Sequence, residues 1–377
     1  MVSMNGLVIT SAGSFVRLCR SYRWVLTLSL LSLPAYVQAQ SLSNSEPQTT
    51  NKLEWVDLGE PIDTLDLQKK GYYFLNRMTL IGPKSIGFLD FRRESVIAFD
   101  FSSGLHQAYA EEWIYPLGEG AHQVGNLFDI QPSPEGVLLT DVVNRRVSEW
   151  SREGEWTQNI DLENVTPSRL ATCKDGSFYV LLENHHIKGM LAYVDSKHTI
   201  RSHFQRVSRF HESSIFHRDG AVVCAQNHLV FGAFYFDYLR SYAPDGTLRW
   251  SRTLMGFEKN EKLLVQGEND LGRYFTINPK ARRSIGNIHS VQNDLWVSFS
   301  GRTDGLMTRI DVYDNQTGEY VQSIRTGDVF SEFVVGSEGV FLHYVDEDSE
   351  STHVIRYKLP SSYQYGASVW GNTSSNP

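Results

Sequence analysis

One short frame recurs along the chain and limits what it can fold into: an apolar strand, a tight polar turn and a second apolar strand. It reads Ile81-Gly-Pro-Lys-Ser-Ile-Gly-Phe88, then Pro132-Ser-Pro-Glu-Gly-Val-Leu-Leu139 and Cys173-Lys-Asp-Gly-Ser-Phe-Tyr-Val180. It returns as Cys224-Ala-Gln-Asn-His-Leu-Val-Phe231, Ser290-Val-Gln-Asn-Asp-Leu-Trp-Val297 and Val335-Gly-Ser-Glu-Gly-Val-Phe-Leu342. A period of about 40–50 residues is the length of one propeller blade. Further strands follow within each copy, as in Arg146-Val-Ser-Glu-Trp150 and Trp156-Thr-Gln-Asn-Ile-Asp-Leu162. Links such as Pro244-Asp-Gly supply the positive φ that tight hairpins need. Helical periodicity is nearly absent. The expectation is an all-β chain, a six-bladed β-propeller of four-stranded antiparallel blades, whose radial repetition protects the sheet edges.

The run Phe128-Asp-Ile-Gln-Pro-Ser-Pro-Glu-Gly-Val-Leu-Leu-Thr-Asp-Val-Val-Asn-Arg-Arg-Val-Ser-Glu-Trp, preceded by Gly118-Glu-Gly, resembles the NHL-type repeat of bacterial six-bladed propeller proteins. The match is close over one blade and rests on spacing over residues 52–362. The resemblance implies six blades, with an N-terminal strand at residues 53–58 completing the last one. Members of that group include binders and enzymes, so the fold does not choose a function.

The N-terminus reads as an export signal. Arg17, Arg20 and Arg23 precede an apolar run from Trp24 to Leu33, and small residues end at Ala39. The run is shorter than the roughly 20 residues a bilayer span needs, which favours a cleaved signal peptide. The expected division is 1–39 signal peptide, 40–51 linker, 52–362 propeller and 363–377 C-terminal tail. Cleavage near Ala39 would give a periplasmic or secreted protein with no membrane span, expected to be a monomer. Asp and Glu number 43 against 35 Lys and Arg. Losing the three leader arginines makes the remainder more acidic, which argues against nucleic acid as partner. Cys173 and Cys224 then remain, able to form one disulfide at most. They hold the same frame position in consecutive copies, and the expectation is two buried free thiols, since neighbouring inner strands usually stand beyond the roughly 7 Å limit.

The resemblance also places the loops: the turn between strands one and two on one face, the four-to-one and two-to-three loops around the other mouth of the channel. On that frame Arg77 and Arg169 lie four residues before a frame start, Asp129, Asn287 and Glu332 three before, and His289 one before. The loops add Asp141, Asn144, Tyr235, Asp237, Arg302, Asp304, His122, His217 and Asp219. Asp141 with Asn144 and Arg146 reads as a brace within the repeat. His122, His217 and His289 come from different copies and could converge on a metal, although their spacing is no recognised ligand pattern. Tyr235 is the expected stacking platform. The link between copies four and five is the longest, with frame starts at Cys224 and Ser290. It carries Leu263, Leu264, Val265, Arg273, Tyr274 and Phe275, and is expected to cap the mouth. Arg77, Arg169 and Arg273 would form a positive patch for a carboxylate or an acidic sugar, or else pair with Asp129 and Glu332 as a structural network.

No nucleophile elbow, phosphate-binding loop, dinucleotide fingerprint or His-Glu-x-x-His is present. Three classes follow: an exported propeller binding a small molecule, glycan or protein at the channel mouth, a metal-assisted hydrolase or lyase, and a purely structural module. The second would hold a divalent cation such as calcium in the channel through Asp129, Asn287 and Glu332.

Overall fold

The computed structural model describes residues 45–363 except 51, 74, 164, 184–188, 205–218, 270–271 and 347–350, and leaves the side chains of 267–269, 272–275 and 346 aside. The expected signal peptide, residues 1–39, therefore lies outside the described residues, as do residues 364–377 of the expected tail. No helix among the described residues is long and apolar enough to cross a membrane.

The chain is a six-bladed β-propeller. Blade 1 comprises Leu75–Gly82, Ser85–Asp90, Ser95–Asp100 and Tyr109–Ile114, and blade 2 comprises Leu127–Pro132, Gly136–Asp141, Arg146–Ser151 and Trp156–Asp161. Blade 3 is Pro167–Thr172, Phe178–Leu182, Leu191–Val194 and Ile200–Phe204, and blade 4 is Gly220–Ala225, His228–Ala233, Tyr238–Tyr242 and Leu248–Thr253. Blade 5 begins Ile285–Val291 and Asp294–Phe299, then continues Met307–Asp314 and Tyr320–Phe330. Blade 6 takes Glu332–Gly336, Gly339–Asp346 and Ser351–Tyr357 from the end of the chain, and its fourth strand from the beginning. The first strands of successive blades touch one another in a closed ring around the axis.

Alternating side chains make each sheet apolar on both faces, so a blade can be stable only between two others. The buried residues accordingly form six clusters, one per joint. Leu138 of blade 2 meets Leu170 and Phe178 of blade 3, and Phe88 of blade 1 meets Val334 and Phe341 of blade 6. Each such fully buried side chain contributes about 1.5–3 kcal/mol.

The closing strand differs from the expected one. Pro61–Asp66 pairs antiparallel with Ser351–Tyr357, whereas Trp55–Asp57 adds as a parallel fifth strand to blade 5. The difference follows from burial: Leu65 opposite Val354 is fully buried, while Trp55 remains 45% exposed. Part of the expected linker is also tied down. Glu46 exchanges backbone hydrogen bonds with Ser251 and Thr253, and the Gln48 side chain donates to the carbonyls of Thr253 and Gly318. Residues 45–66 thus strap the outer edges of blades 4, 5 and 6 in turn.

The cysteines also depart from expectation, forming a disulfide with Cα atoms 5.2 Å apart. These equivalent frame positions of blades 3 and 4 thus stand inside the roughly 7 Å bonding limit, closer than neighbouring inner strands usually do.

Candidate functional site: the channel and its charged mouth

The polar residues three before the frame starts share one task. The Asp129 carboxylate accepts the Leu170 N–H of blade 3 at 2.8 Å. Glu332 accepts the Met78 N–H of blade 1 and pairs with Arg77 at 2.8 Å. Asn287 donates its amide to the Phe333 carbonyl of blade 6 at 2.7 Å, and its amide oxygen accepts the Ser298 hydroxyl at 2.9 Å. Each clasps its own blade to the next. His289 also bonds the Phe333 carbonyl, at 2.8 Å. Burial pushes its pKa down to about 4, which leaves the ring neutral at physiological pH.

At the level of these clasps the channel has a neck of about 90 Å³, lined by Arg77, Asp129, Arg169, Phe234, His289 and Glu332 among others. Arg77 and Glu332 also line an adjoining mouth cavity of about 260 Å³, together with Arg283, Phe91, Asp304 and Leu306. Arg169 is 6% exposed and its side chain makes no hydrogen bond to the described residues; its Nε and Nη1 atoms are buried without a hydrogen-bond partner. Its guanidinium carbon lies 4.8 Å from the Phe128 ring centre and 5.6 Å from that of Phe234. Arg283 covers Phe234 more closely, at 3.9 Å, and donates Nε–H to the Ile285 carbonyl. Phe234 is therefore shared by two cations, a contact each gains from because the ring face is electron-rich.

The anions do not fully offset this charge. Arg169 Nη1 stands 3.9 Å from Asp129 Oδ1, beyond hydrogen-bond reach. Burial raises the Asp129 pKa to about 7, against lowering by Arg77 and by the Leu170 N–H, so the acid is partly neutral at pH 7. Burial and the nearby Arg77 charge lower the pKa of Arg283, with Asp219 opposing.

Several expected residues stand elsewhere. Tyr235 is half-buried against the blade 4–5 core, its carbonyl accepting from Asn260, and Phe234 takes the channel position instead. Both residues lie in the turn after His228–Ala233, where the chain changes direction from one residue to the next, so an offset of one residue exchanges the platform. The long link forms a hairpin, Leu264–Asn269 with Gly272–Ile277, whose strands pair only with each other. Arg273 lies near its tip, in register with Glu268, and its side chain is outside the described ones. His217 lies outside the described residues. His122 packs edge-on against Trp156 of an outer strand, 4.1 Å between ring centres, so it does not converge with His289. Asp141 accepts N–H bonds from Gly125 and Asn144 and an amide bond from Asn144, the brace expected of the repeat. Arg283 and Phe234 are the residues that sequence reasoning passed over. No group of three or more His, Cys, Asp or Glu suited to a metal ion occurs among the described residues.

No family model matches the chain, and no curated protein matches it in sequence. Solved structures do resemble it in fold. A DUF4221 family member from Bacteroides vulgatus is 15% identical with a TM-score of 0.54, covering 82% of this chain and 98% of its own. A luciferin-regenerating enzyme is 12% identical with a TM-score of 0.50, over 80% of this chain and 96% of its own. A streptogramin B lyase is 12% identical at a TM-score of 0.46, over 76% and 94%. At these identities the likeness is one of fold alone.

Proposed function

We propose that this chain is an exported binding propeller whose channel mouth captures a small anionic molecule through a carboxylate, as in a dicarboxylic acid or an acidic sugar. The observation that carries the reading is Arg169, a buried guanidinium held between aromatic rings with two unpartnered nitrogens. An unmade charged hydrogen bond in a buried site is costly, and a carboxylate matches the planar fork. Arg283 adds charge at the wider mouth, where the body of the ligand would lie. Export is supported by the leader pattern and by the disulfide, a bond typical of oxidising compartments.

A channel cation is less well served. Glu332 and Asn287 already accept hydrogen bonds from the protein, and Asp129 and Glu332 lie among arginines. The test is calorimetric titration of the mature protein with succinate, citrate and galacturonate, repeated on Arg169→Gln. At least one acid should bind the wild type, weaken with added salt, and lose tenfold or more in the variant. Binding that survives Arg169→Gln sinks the assignment, and stabilisation by calcium or magnesium with no response to any acid would replace it with the metal-assisted reading.

A further inference from the structure

The opposite mouth of the channel is a different chemical environment. It opens into a cup of about 930 Å³, within the range of ligand pockets and contiguous with the neck through Gln131, Thr172 and Cys224. Five carboxamide side chains line it: Gln131, Gln226, Asn227, Gln292 and Asn293. Among the described residues that line it, Lys174 and Asp175 are the only charged ones, one of each sign. The amides of Gln131 and Asn227 and the hydroxyls of Thr79, Thr172 and Ser290 make no hydrogen bond to the described residues. Between these donors and acceptors lie Leu80, Pro132, Val334 and the Cys173–Cys224 disulfide, which give the wall apolar stretches.

The turns that carry the carboxamides are strained to do so. The hairpin turns of blades 4 and 5 both read Gln-Asn, at Gln226-Asn227 and Gln292-Asn293. Gln226 and Gln292 adopt φ of +50° and +56°, and Asn227 +67°. Asparagine tolerates the left-handed region, whereas a glutamine there costs about 1–2 kcal/mol that glycine would avoid. Strain retained at a concave, hydrogen-bonding surface points to a task for the side chain. The two turns are also joined, Gln226 Nε2 donating to Asn293 Oδ1 at 3.0 Å while its Oε1 accepts from Gln316, and Gln292 donates to the Tyr363 carbonyl at 3.1 Å, so these bonds fix the amides around the open Asn227 and Gln131.

From this cup we infer a second binding site, for a neutral polyhydroxylated ligand, a sugar or short oligosaccharide. Carboxamides match hydroxyls because each both donates and accepts. The aliphatic and disulfide surfaces would meet the C–H faces of the rings, and near-neutrality gives an ionic ligand no advantage. The inference is independent of the anion reading, since Arg169 and Arg283 do not line the cup.

The test uses the mature full-length protein, fluorescently labelled, on an array of neutral and acidic glycans, followed by calorimetry of the best neutral hit. The double variant Gln226→Gly/Asn227→Gly suits this test because glycine adopts both φ values without strain, so the turn keeps its conformation while two carboxamides are lost; urea unfolding checks that losing the Gln226 bonds to Asn293 and Gln316 leaves the fold intact. Gln131→Ala probes the opposite wall. Retention of neutral glycans should survive Arg169→Gln and high salt, and the affinity should fall at least tenfold in the double variant and in Gln131→Ala. Failure to retain any neutral glycan, equal binding by the double variant, or loss in Arg169→Gln instead would each overturn the inference.

Discussion

Asp129 places a titration in the middle of the physiological range, and its effect on stability has a definite sign. Its folded pKa of about 7 lies above the ordinary 3.8 because burial disfavours the charged form. Below about pH 3.8 the acid is protonated folded or unfolded and contributes nothing. Between that value and 7 the folded chain keeps a proton that the unfolded chain has lost, so stability falls as pH rises. Above 7 the full penalty is present, on the order of 4 kcal/mol for a shift of this size. Asp129→Asn removes the charge and keeps an oxygen to accept the Leu170 N–H. The expected outcome in urea unfolding, with the disulfide intact, is a wild type that loses stability relative to the variant from pH 4 to 7, by up to about 1.4 kcal/mol per unit. At pH 8 the variant should be the more stable by a few kcal/mol, a difference that already contains the opposing attraction of Arg77. A variant less stable than the wild type at every pH, by a constant amount, would mean that the carboxylate is a stabilising ion and refute the argument.

The disulfide spans 51 residues of sequence, so replacing Cys173 and Cys224 together by serine should cost roughly 4 kcal/mol in denaturant unfolding through the loop it no longer closes. Leu65→Ala should cost about 2–5 kcal/mol because it empties a buried position in the closing strand, while Trp55→Ala on the added strand should cost well under that; a reversed ranking in the same assay would reassign the closure.

The blades were legible because each hairpin is local. Apolar runs, turn residues and period lie within a few dozen residues, and no distant partner is needed to read them. The closing strand was not legible in the same way. Residues 53–58 and 61–66 are both short apolar-polar segments, and the choice depends on which can bury a leucine against Val354 far along the chain. The cysteine spacing placed both thiols at one frame position, but the distance between neighbouring inner strands is set by packing at the axis. At the mouth, the ring positions of Arg77, Asp129, Arg169, Asn287, His289 and Glu332 followed from the frame, since all six line the neck. Their division into clasps and an open group did not follow, because it depends on tenths of a nanometre between blades.

Arg77 and Arg169 show how that division arises from one methylene. Both stand four residues before a frame start, and each faces an acid three before the frame start of the preceding blade. Glu332 is long enough to accept the Met78 N–H with one oxygen and to pair with Arg77 at 2.8 Å with the other. Asp129 makes the equivalent bond to the Leu170 N–H, and its second oxygen stops 3.9 Å from Arg169. The shorter side chain satisfies the backbone and leaves the guanidinium open. Asp129→Glu should complete the second clasp: the carboxylate would reach Arg169, its pKa would fall toward the usual range, and the melting temperature would rise. If the open hydrogen-bonding capacity of Arg169 is what holds an anion, affinity for a small carboxylate should drop tenfold or more, much as in Arg169→Gln, although no arginine has been removed. Calorimetry of Asp129→Glu with the acid that binds the wild type decides this, and undiminished binding beside a raised melting temperature would show that the ligand is held by other groups of the mouth.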